Sequence, residues 1–382
     1  MVKRLVAVSA GIVVAGSALF AASCESVTGL DKDYHLASGT TGGGGASTTT
    51  TTPSGGTGGT GGATGCVHAT VPDAPSIADD GGDLDFVVAM RTINLDEKDF
   101  NVTLGLDLDG VCTCEDGDPP TCDQPAGPLC DGPGGMDNAV GIIFATVYDL
   151  SSKVISSGQL SAAANAGQWT SLIRVRGYNG KPDDAKVSAM IYLTQGVNVG
   201  MPKPLWDGND AWPIDDTSLS DPQNPDTALI QTTDGYVAGG VLVLRFANNP
   251  LRIRGPLFTM DLTLMDVIVS ATLSPSGSSY KLTNGVIGAR WPLANAFPGL
   301  ASIRYAGGSK LCKDDDNYVG VKSALCGNAD LRFDGSTGAC DTLSFGATFT
   351  SDPAKLGGVV PAAGPPQDGC AADQDPSTDS CN

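Results

Sequence analysis

Short runs of β-branched and aromatic residues recur along most of the chain, and clusters of Pro, Gly and Asp separate them. This pattern is typical of strands joined by turns. One run alternates, with Ile173 and Val175 on one side and Leu172, Arg174 and Arg176 on the other. The predicted strands are 84–93, 100–107, 169–178, 186–194, 236–246, 257–273, 279–291 and 342–350.

Four segments predict short helices, at 137–148, 156–165, 292–300 and 314–325. Asp137 and Asn138 are good N-terminal caps for the first segment, although its Ile-Ile-Phe sequence leaves a strand open. Pro292 suits a first helical turn. We therefore predict a mainly β fold, β-sandwich- or jelly-roll-like, with a few short helices across residues 66–360. A Pro-, Asp- and Gly-rich tail follows at 361–382.

The amino end has the pattern of an export signal. Lys3 and Arg4 precede an apolar run at 5–20, which has 16 residues (20 − 5 + 1) and is short for a membrane-spanning helix. The run leads into Ala-Ala-Ser and then Cys24, an order similar to the bacterial lipobox. We predict a signal peptide at 1–23 and lipidation of Cys24. The alternative is an ordinary secretory peptide cut near Ser23, with Cys24 free or in a disulfide.

Residues 24–65 are predicted to be a flexible tether. From 38 onward they are almost all Gly, Thr, Ser and Ala, which cannot bury enough apolar surface to offset their ordering entropy. A lipidated cysteine before such a spacer would hold a folded domain away from a membrane. We therefore predict an extracytoplasmic, lipid-anchored protein of the outer membrane or cell surface, with the membrane as a partner through its lipid.

Charge and composition exclude several functions. The net charge is −20 and the chain has only 2 His. Such an acidic balance argues against nucleic-acid binding, and scarce histidine argues against multi-His metal sites and Ser–His or Cys–His catalysis. The sequence also lacks the common metalloprotease, hydrolase and phosphate-binding motifs. We therefore favour binding over catalysis.

The chain has 11 cysteines, and setting Cys24 aside leaves ten. An even number in an exported protein predicts a disulfide set. Sequence proximity favours pairs within 112–130, within 312–340 and between Cys370 and Cys381, with one long bridge to Cys66 from the 312–340 group. The ten candidates are Cys66, Cys112, Cys114, Cys122, Cys130, Cys312, Cys326, Cys340, Cys370 and Cys381.

Alternating carboxylates give the strongest candidate site. Asp107, Asp109 and a following Gly precede a Cys- and Asp-rich loop that ends at Asp137 and Asn138. Asp oxygens followed by Gly are typical of calcium loops, so these four residues are a candidate Ca²⁺ site. The chain lacks a full twelve-residue EF-hand loop. The alternative is that the same side chains cap turns and a helix and bind no metal.

A second candidate lies in the long segment 200–226, which is rich in Trp and Asp. Trp faces stack on sugar rings, and Asp and Asn bond to hydroxyl groups. This chemistry predicts a glycan-binding loop, whereas the competing interpretation has both Trp side chains anchoring the loop on the sheet. The candidate ligand-binding residues are Trp206, Asp207, Asn209, Asp210 and Trp212.

The Asp-Leu-Asp-Gly sequence at 107–110 and the later Gly-Met-Asp-Asn at 135–138 carry a resemblance. Together with Trp169 to Val175, Tyr178-Asn179-Gly180 and Trp206-Asp207-Gly208, they resemble a family of exported, often lipid-anchored bacterial proteins without a known activity. The resemblance covers most of 84–355. It implies a location and a shared fold, and it supplies no catalytic residues.

These patterns predict a cell-envelope lipoprotein that presents a β-rich binding or scaffolding domain on a stalk, with a glycan or an envelope protein as its partner. The alternatives are a carbohydrate-recognising module supported by Ca²⁺ and a secreted hydrolase that uses paired Asp residues.

Overall fold

The computed structural model describes residues 65–77, 81–97, 102–115, 117–150, 156–194, 196–197, 203–254, 258–305, 310–362 and 369–381. The predicted signal peptide, Cys24 and nearly all of the tether lie outside these residues. None of the described helices is long and apolar enough to cross a bilayer.

Ten strands and four helices make up the described chain. The strands are β1 (Leu84–Asn94), β2 (Ser171–Tyr178), β3 (Asp184–Leu193), β4 (Ala211–Asp215), β5 (Ile230–Ala238), β6 (Val241–Arg254), β7 (Phe258–Ser276), β8 (Ser279–Pro292), β9 (Arg304–Tyr305) and β10 (Thr342–Val360). The helices are α1 (Ala139–Leu150), α2 (Ser157–Asn165), α3 (Leu293–Ala301) and α4 (Asp316–Gly327). The predicted mainly β class with a few short helices is confirmed.

The strands form one sheet that closes on itself. Its order is β1-β2-β3-β5-β6-β7-β8-β10, and β10 pairs again with β1, so eight antiparallel strands complete a ring. The closing pair aligns Val87 with Ala354, residues far apart in the chain. Short β4 lies outside the ring and pairs in parallel with the last part of β10. Closure satisfies backbone groups that an open sheet would leave at its edges.

Alternation along the strands separates two cores. Ile173 and Val175 of β2 belong to a large apolar cluster that draws on all eight ring strands and on the four helices. Leu172 of the same strand points the other way, into a smaller cluster with Trp212 and Ile214 of β4. The outer face of this part of the ring is therefore covered by the segment around β4.

One strand changes its inward face part-way along. In β7, Leu262 and Leu264 are buried at even positions, whereas Val267 and Val269 are buried at odd positions. Between them lies Asp266, with a φ of 48°, where the register with β8 also shifts. An extra residue at a bulge restores burial on the same side, so both halves of this 19-residue strand contribute to one core.

Two strand predictions are wrong in detail. The 100–107 segment forms no strand in its described part, where Leu106 makes only an isolated bridge to Asp137. The 236–246 segment is divided into β5 and β6 by a two-residue turn at Gly239 and Gly240, both with positive φ. Two adjacent glycines permit the tight hairpin turn that other residues disfavour.

Side-chain caps begin at least three of the helices, since Asn138 accepts the backbone N–H of Gly141 in the first turn of α1. Ser156 accepts a hydrogen bond from the backbone N–H of Gln159 at the start of α2, and Asp315 does the same for Asn317 at α4. Buried Glu97 adds a further cap, because its carboxylate accepts the N–H of Ser157 at 2.9 Å. These contacts fix α2 against the end of β1.

All ten cysteines outside Cys24 form disulfides, but several predicted pairings are wrong. Cys114–Cys130 is a short bridge of the predicted kind. Cys66 pairs with Cys112, and the long bridge instead joins Cys122 to Cys340. Cys370 and Cys381 do not pair with each other. The five bridges are Cys66–Cys112, Cys114–Cys130, Cys122–Cys340, Cys312–Cys370 and Cys326–Cys381.

The end of the tail is fixed to the domain beside α4, which explains the pairing of its cysteines. Cys370 of the tail pairs with Cys312 before the helix, and Cys381 pairs with Cys326 within it. Between them, Asp379 accepts hydrogen bonds from the Tyr318 hydroxyl at 2.6 Å and from the Lys322 ammonium at 2.8 Å. Residues 369–381 are therefore an ordered clasp on the helical side of the domain.

Candidate functional site

The loop from 102 to 137 connects β1 to α1 and carries the predicted metal residues. Three disulfides hold it: Cys66–Cys112 joins it to the start of the domain, Cys114–Cys130 closes it internally, and Cys122–Cys340 joins it to the residues before β10. The described residues of this loop form only isolated bridges and turns, so the covalent bonds supplement a sparse set of backbone hydrogen bonds.

The structure brings Asp107, Asp109 and Asp137 together. Each offers a carboxylate oxygen, and these oxygens lie within 4.8 Å of one another. The same side chains also hold the backbone: Asp107 accepts the N–H of Gly110 at 2.7 Å, and Asp137 accepts the N–H of Leu108 at 2.7 Å. Capping and convergence, which the sequence presents as alternatives, therefore occur in the same residues.

Asn138 is directed elsewhere. Its Oδ1 accepts the backbone N–H of Gly346 at 2.8 Å and that of Gly141 at 3.1 Å. The side chain therefore ties the start of α1 to β10. Its position beside Asp137 in the sequence does not make it a ligand in this arrangement.

Burial of so many carboxyl groups perturbs their ionisation. Desolvation, with repulsion from Asp330 and Asp109, raises the pKa of Asp137 to about 10. Desolvation also raises the pKa of Asp109, that of Asp131 to about 6 and that of Asp330 to about 7. The cause is common to all four: a carboxylate removed from water, near other carboxylates, holds its proton more tightly.

Positive charge near the cluster is limited. Arg290 donates to the carbonyl of Leu108 at 2.6 Å, and His68 contacts Asp107 through Nδ1. A divalent cation would supply the missing charge, and carboxylate oxygens are the ligands that Ca²⁺ prefers. Asp107, Asp109 and Asp137 are the residues placed to hold such an ion.

Sequence reasoning missed three members of this neighbourhood, namely His68, Asp131 and Asp330. Asp131 follows a cysteine directly and accepts the N–H of Thr113 at 2.6 Å. Asp330 is buried, and its carboxylate accepts the backbone N–H of Ser344 at 2.9 Å. The position of His68 two residues after Cys66 was a usable signal, because a disulfide at Cys66 must bring its neighbours to the partner loop.

The candidate glycan-binding loop is organised around two indole rings. Trp212 is completely buried and Trp206 is partly buried, with ring centroids 5.3 Å apart. The guanidinium of Arg91 lies over the Trp206 ring at 5.3 Å. Trp212 therefore offers no face to a sugar, which corrects its assignment as a ligand-binding residue.

The polar residues of this loop mainly stabilise its turns. Asp210 accepts the backbone N–H groups of Leu205 at 3.0 Å and Trp206 at 2.6 Å. Asp207 accepts the N–H of Asn209 at 2.9 Å, and Asn209 accepts from the Lys355 ammonium at 2.9 Å. These contacts support the interpretation of the loop as a packed cover over the outer face of the sheet.

Three comparisons with known proteins found no relative of this chain. Protein-family models, curated proteins and solved structures were all compared with the chain, and none matched. The resemblance to exported bacterial lipoproteins therefore stays a prediction from the motifs, and the arguments about function depend on the geometry of this chain.

Proposed function

We propose that the protein is a cell-envelope lipoprotein, anchored through Cys24, that presents its disulfide-bonded domain on a flexible stalk for binding or scaffolding. The supporting observation is the cysteine count. The ten cysteines from 66 to 381 pair among themselves, so 11 − 10 leaves Cys24 as the one cysteine not engaged in those bridges. A cysteine excluded from the disulfide set is available for a thioether to lipid.

The compartment is consistent with this assignment. Five disulfides are compatible with an extracytoplasmic location, because cytosolic thiols are kept reduced. Two bridges fix the clasp, and three hold the loop at 102–137, which we call the acidic loop. The partner that we propose for this domain is a glycan or an envelope protein.

Fatty-acid labelling tests the anchor. The full chain is expressed in a bacterium fed an alkyne fatty acid, and the label is detected after denaturing gels. We expect labelling and membrane fractionation in the wild type, loss of both in Cys24→Ser, and no change in the matched control Ser26→Ala. An unlabelled wild type, or a labelled Cys24→Ser protein, would refute lipidation at this position.

We also propose that the acidic loop binds a divalent cation, with Ca²⁺ as the first candidate. The supporting observation is the convergence of Asp107, Asp109 and Asp137 within 4.8 Å. A cation would offset the negative charge of these carboxylates and replace the proton that the raised pKa of Asp137 otherwise retains. It would also lock a loop whose described residues form none of the ten strands. The ion would thereby fix the surface that the domain presents beside its first disulfide.

Thermal unfolding with and without chelator tests the cation. A bound ion stabilises the native state by linkage, so millimolar Ca²⁺ is expected to raise the Tm by several degrees. Asp109→Asn should reduce this response, whereas Asp234→Asn, an exposed site with the same loss of charge, should not. A change in Tm below about 1 °C in the wild type counts against the site.

The carbohydrate alternative has less support, because one of its two stacking rings is enclosed. A glycan array probed with the wild type and Trp206→Ala tests it. Binding that is lost in the variant, while the variant keeps its fold, would favour a sugar-binding role. Turnover of a polysaccharide would instead favour the hydrolase alternative.

A further inference from the structure

The Cys66–Cys112 disulfide lies among acid and base side chains. Its Cys112 Sγ is 3.7 Å from Nδ1 of His68, and its Cys66 Sγ is 3.3 Å from Oε2 of Glu115. By contrast, the contacts described for the sulfurs of two other bridges are to the backbone carbonyls of Asp330 and Leu311. This bridge is therefore placed among side chains that can take part in sulfur chemistry.

These groups form two sets of metal-type donors that share one sulfur. Cys66, Cys112 and Glu115 form one set, and His68, Asp107 and Cys112 form the other, with ligand atoms within 4.8 Å in each. While the bridge is intact the sulfurs are bonded to each other and are poor ligands. Reduction would convert them into two thiolates with an imidazole nitrogen and carboxylate oxygens around them.

The distances suit a small tetrahedral ion. With Zn–S near 2.3 Å and Zn–N near 2.0–2.1 Å, a tetrahedral site places sulfur and nitrogen about 3.5 Å apart. The observed 3.7 Å between Cys112 Sγ and His68 Nδ1 is close to this value. Little movement of the imidazole is needed for both atoms to contact one ion.

The backbone holds these groups in place independently of the bridge. Ala69 donates to the carbonyl of Gly134 at 2.7 Å, and Asp107 donates to the carbonyl of Ala69 at 3.0 Å. Gly134 in turn donates to the carboxylate of Glu115 at 2.9 Å. Opening the disulfide would therefore leave the segments of His68, Asp107 and Glu115 beside one another.

We propose that Cys66, Cys112 and His68, with a carboxylate of Asp107 or Glu115, form a redox-gated site for a thiophilic divalent metal such as Zn²⁺. A dithiol reductant gives two electrons and two protons, the Cys66–Cys112 bond breaks into two thiols, and the dithiol becomes a disulfide. Metal binding then releases both thiol protons. Thiolate and imidazole ligands favour Zn²⁺ over Ca²⁺, so this site differs chemically from the carboxylate cluster.

Cobalt binding tests the proposal, because Co²⁺ substitutes for Zn²⁺ and its thiolate charge-transfer absorption reports sulfur ligands directly. The full chain is reduced with a phosphine, and alkylation mass spectrometry of an aliquot verifies that Cys66 and Cys112 are free. The phosphine is removed under argon before titration. We expect the absorption at one Co²⁺ per chain in the reduced protein and none in the oxidised protein.

Variants decide which residues hold the ion. Cys112→Ser should abolish the absorption, and His68→Gln should weaken the affinity at least about tenfold. The double variant Cys114→Ser/Cys130→Ser removes the two thiols that a phosphine would free if it also opened the neighbouring bridge, and in the reduced state it should bind as the wild type does. Any one of four results would overturn the proposal. The absorption could be absent in the reduced wild type or could survive in Cys112→Ser. It could be lost in the double variant, or the affinity could be unchanged in His68→Gln. The Ca²⁺ response can fail without affecting this readout.

Discussion

Replacing Asp137 by Asn should stabilise the metal-free protein at neutral pH. The side chain is 2 % exposed, and its folded pKa lies far above that of an unfolded aspartate, near 3.9. The amide is isosteric with the protonated acid and keeps an oxygen for the N–H of Leu108. It also removes the proton that the wild type must hold when it folds.

The direction in which stability changes with pH follows from proton linkage. Because the folded pKa is raised, the native state binds a proton that the unfolded state releases above about pH 4. The contribution of Asp137 to stability is therefore fully present below about pH 4 and declines as the pH rises towards its folded pKa. Between the two pKa values, each tenfold fall in proton concentration lowers the free energy of unfolding by about 1.36 kcal/mol. Between about pH 4 and pH 7 the wild type loses at most about 4 kcal/mol that the variant keeps.

Urea unfolding of both proteins in chelator at pH 4, 5.5 and 7 measures this difference. The free energies of unfolding should be similar at pH 4, and Asp137→Asn should gain progressively to about 2–4 kcal/mol at pH 7. Asp234→Asn, an exposed carboxylate on β5, should show no such trend. Added Ca²⁺ should narrow the gap, because it stabilises only the protein with a complete cluster. A variant that is less stable than the wild type at pH 7, or a gap independent of pH, would refute the reasoning.

Two further predictions concern stability, each measured by chemical denaturation. The Cys122–Cys340 bridge has a sequence separation of 218, and its removal in Cys122→Ala/Cys340→Ala should lower the free energy of unfolding by about 5 kcal/mol. The Cys114–Cys130 bridge has a separation of 16, and its removal in Cys114→Ala/Cys130→Ala should lower it by about 3 kcal/mol. Equal losses would contradict the loop-entropy argument. Trp212→Ala should cost about 3–5 kcal/mol because the ring is fully enclosed, and a loss below 1 kcal/mol would mean that this ring is not a packing anchor.

Local sequence signals predicted the helices well. Ser156 marks the start of α2 because its hydroxyl caps the first turn, and the Asp residues before α4 have the same role. Such signals depend on neighbours a few residues away, so they are present in the sequence itself. The open choice between helix and strand after Asn138 is settled by α1, whose side chains pack into the main core.

Closure of the sheet had no local signal. The pairing of Val87 with Ala354 joins segments that are separated by most of the domain, and nothing in either sequence identifies the other. The same limit applies to the disulfides. Proximity in the chain favoured bridges within 112–130, and Cys114–Cys130 is one such bridge. It missed Cys122–Cys340, because the approach of those two cysteines depends on the finished sheet.

The candidate site was partly predictable for a related reason. Asp107 and Asp109 are neighbours in sequence, and Asp137 precedes a predicted helix, so their residue types and spacing indicated a cluster. His68 and Asp330 come from distant segments and join only through the fold. For Trp212, composition alone could not separate a stacking surface from a buried anchor, because an indole ring suits both.

The Cys66–Cys112 bridge also determines how the domain responds to mechanical load. If Cys24 is the anchor, as we propose, a pull from the amino end reaches the domain at Cys66 and passes through the covalent bond to Cys112. Strand β1, which lies between these residues, is thus shielded from extension. The bond closes a segment with a sequence separation of 46 residues, which would span about 160 Å if fully extended. While the bond is intact, this segment cannot lengthen, even if a pull from the amino end separates β1 from its neighbours in the sheet.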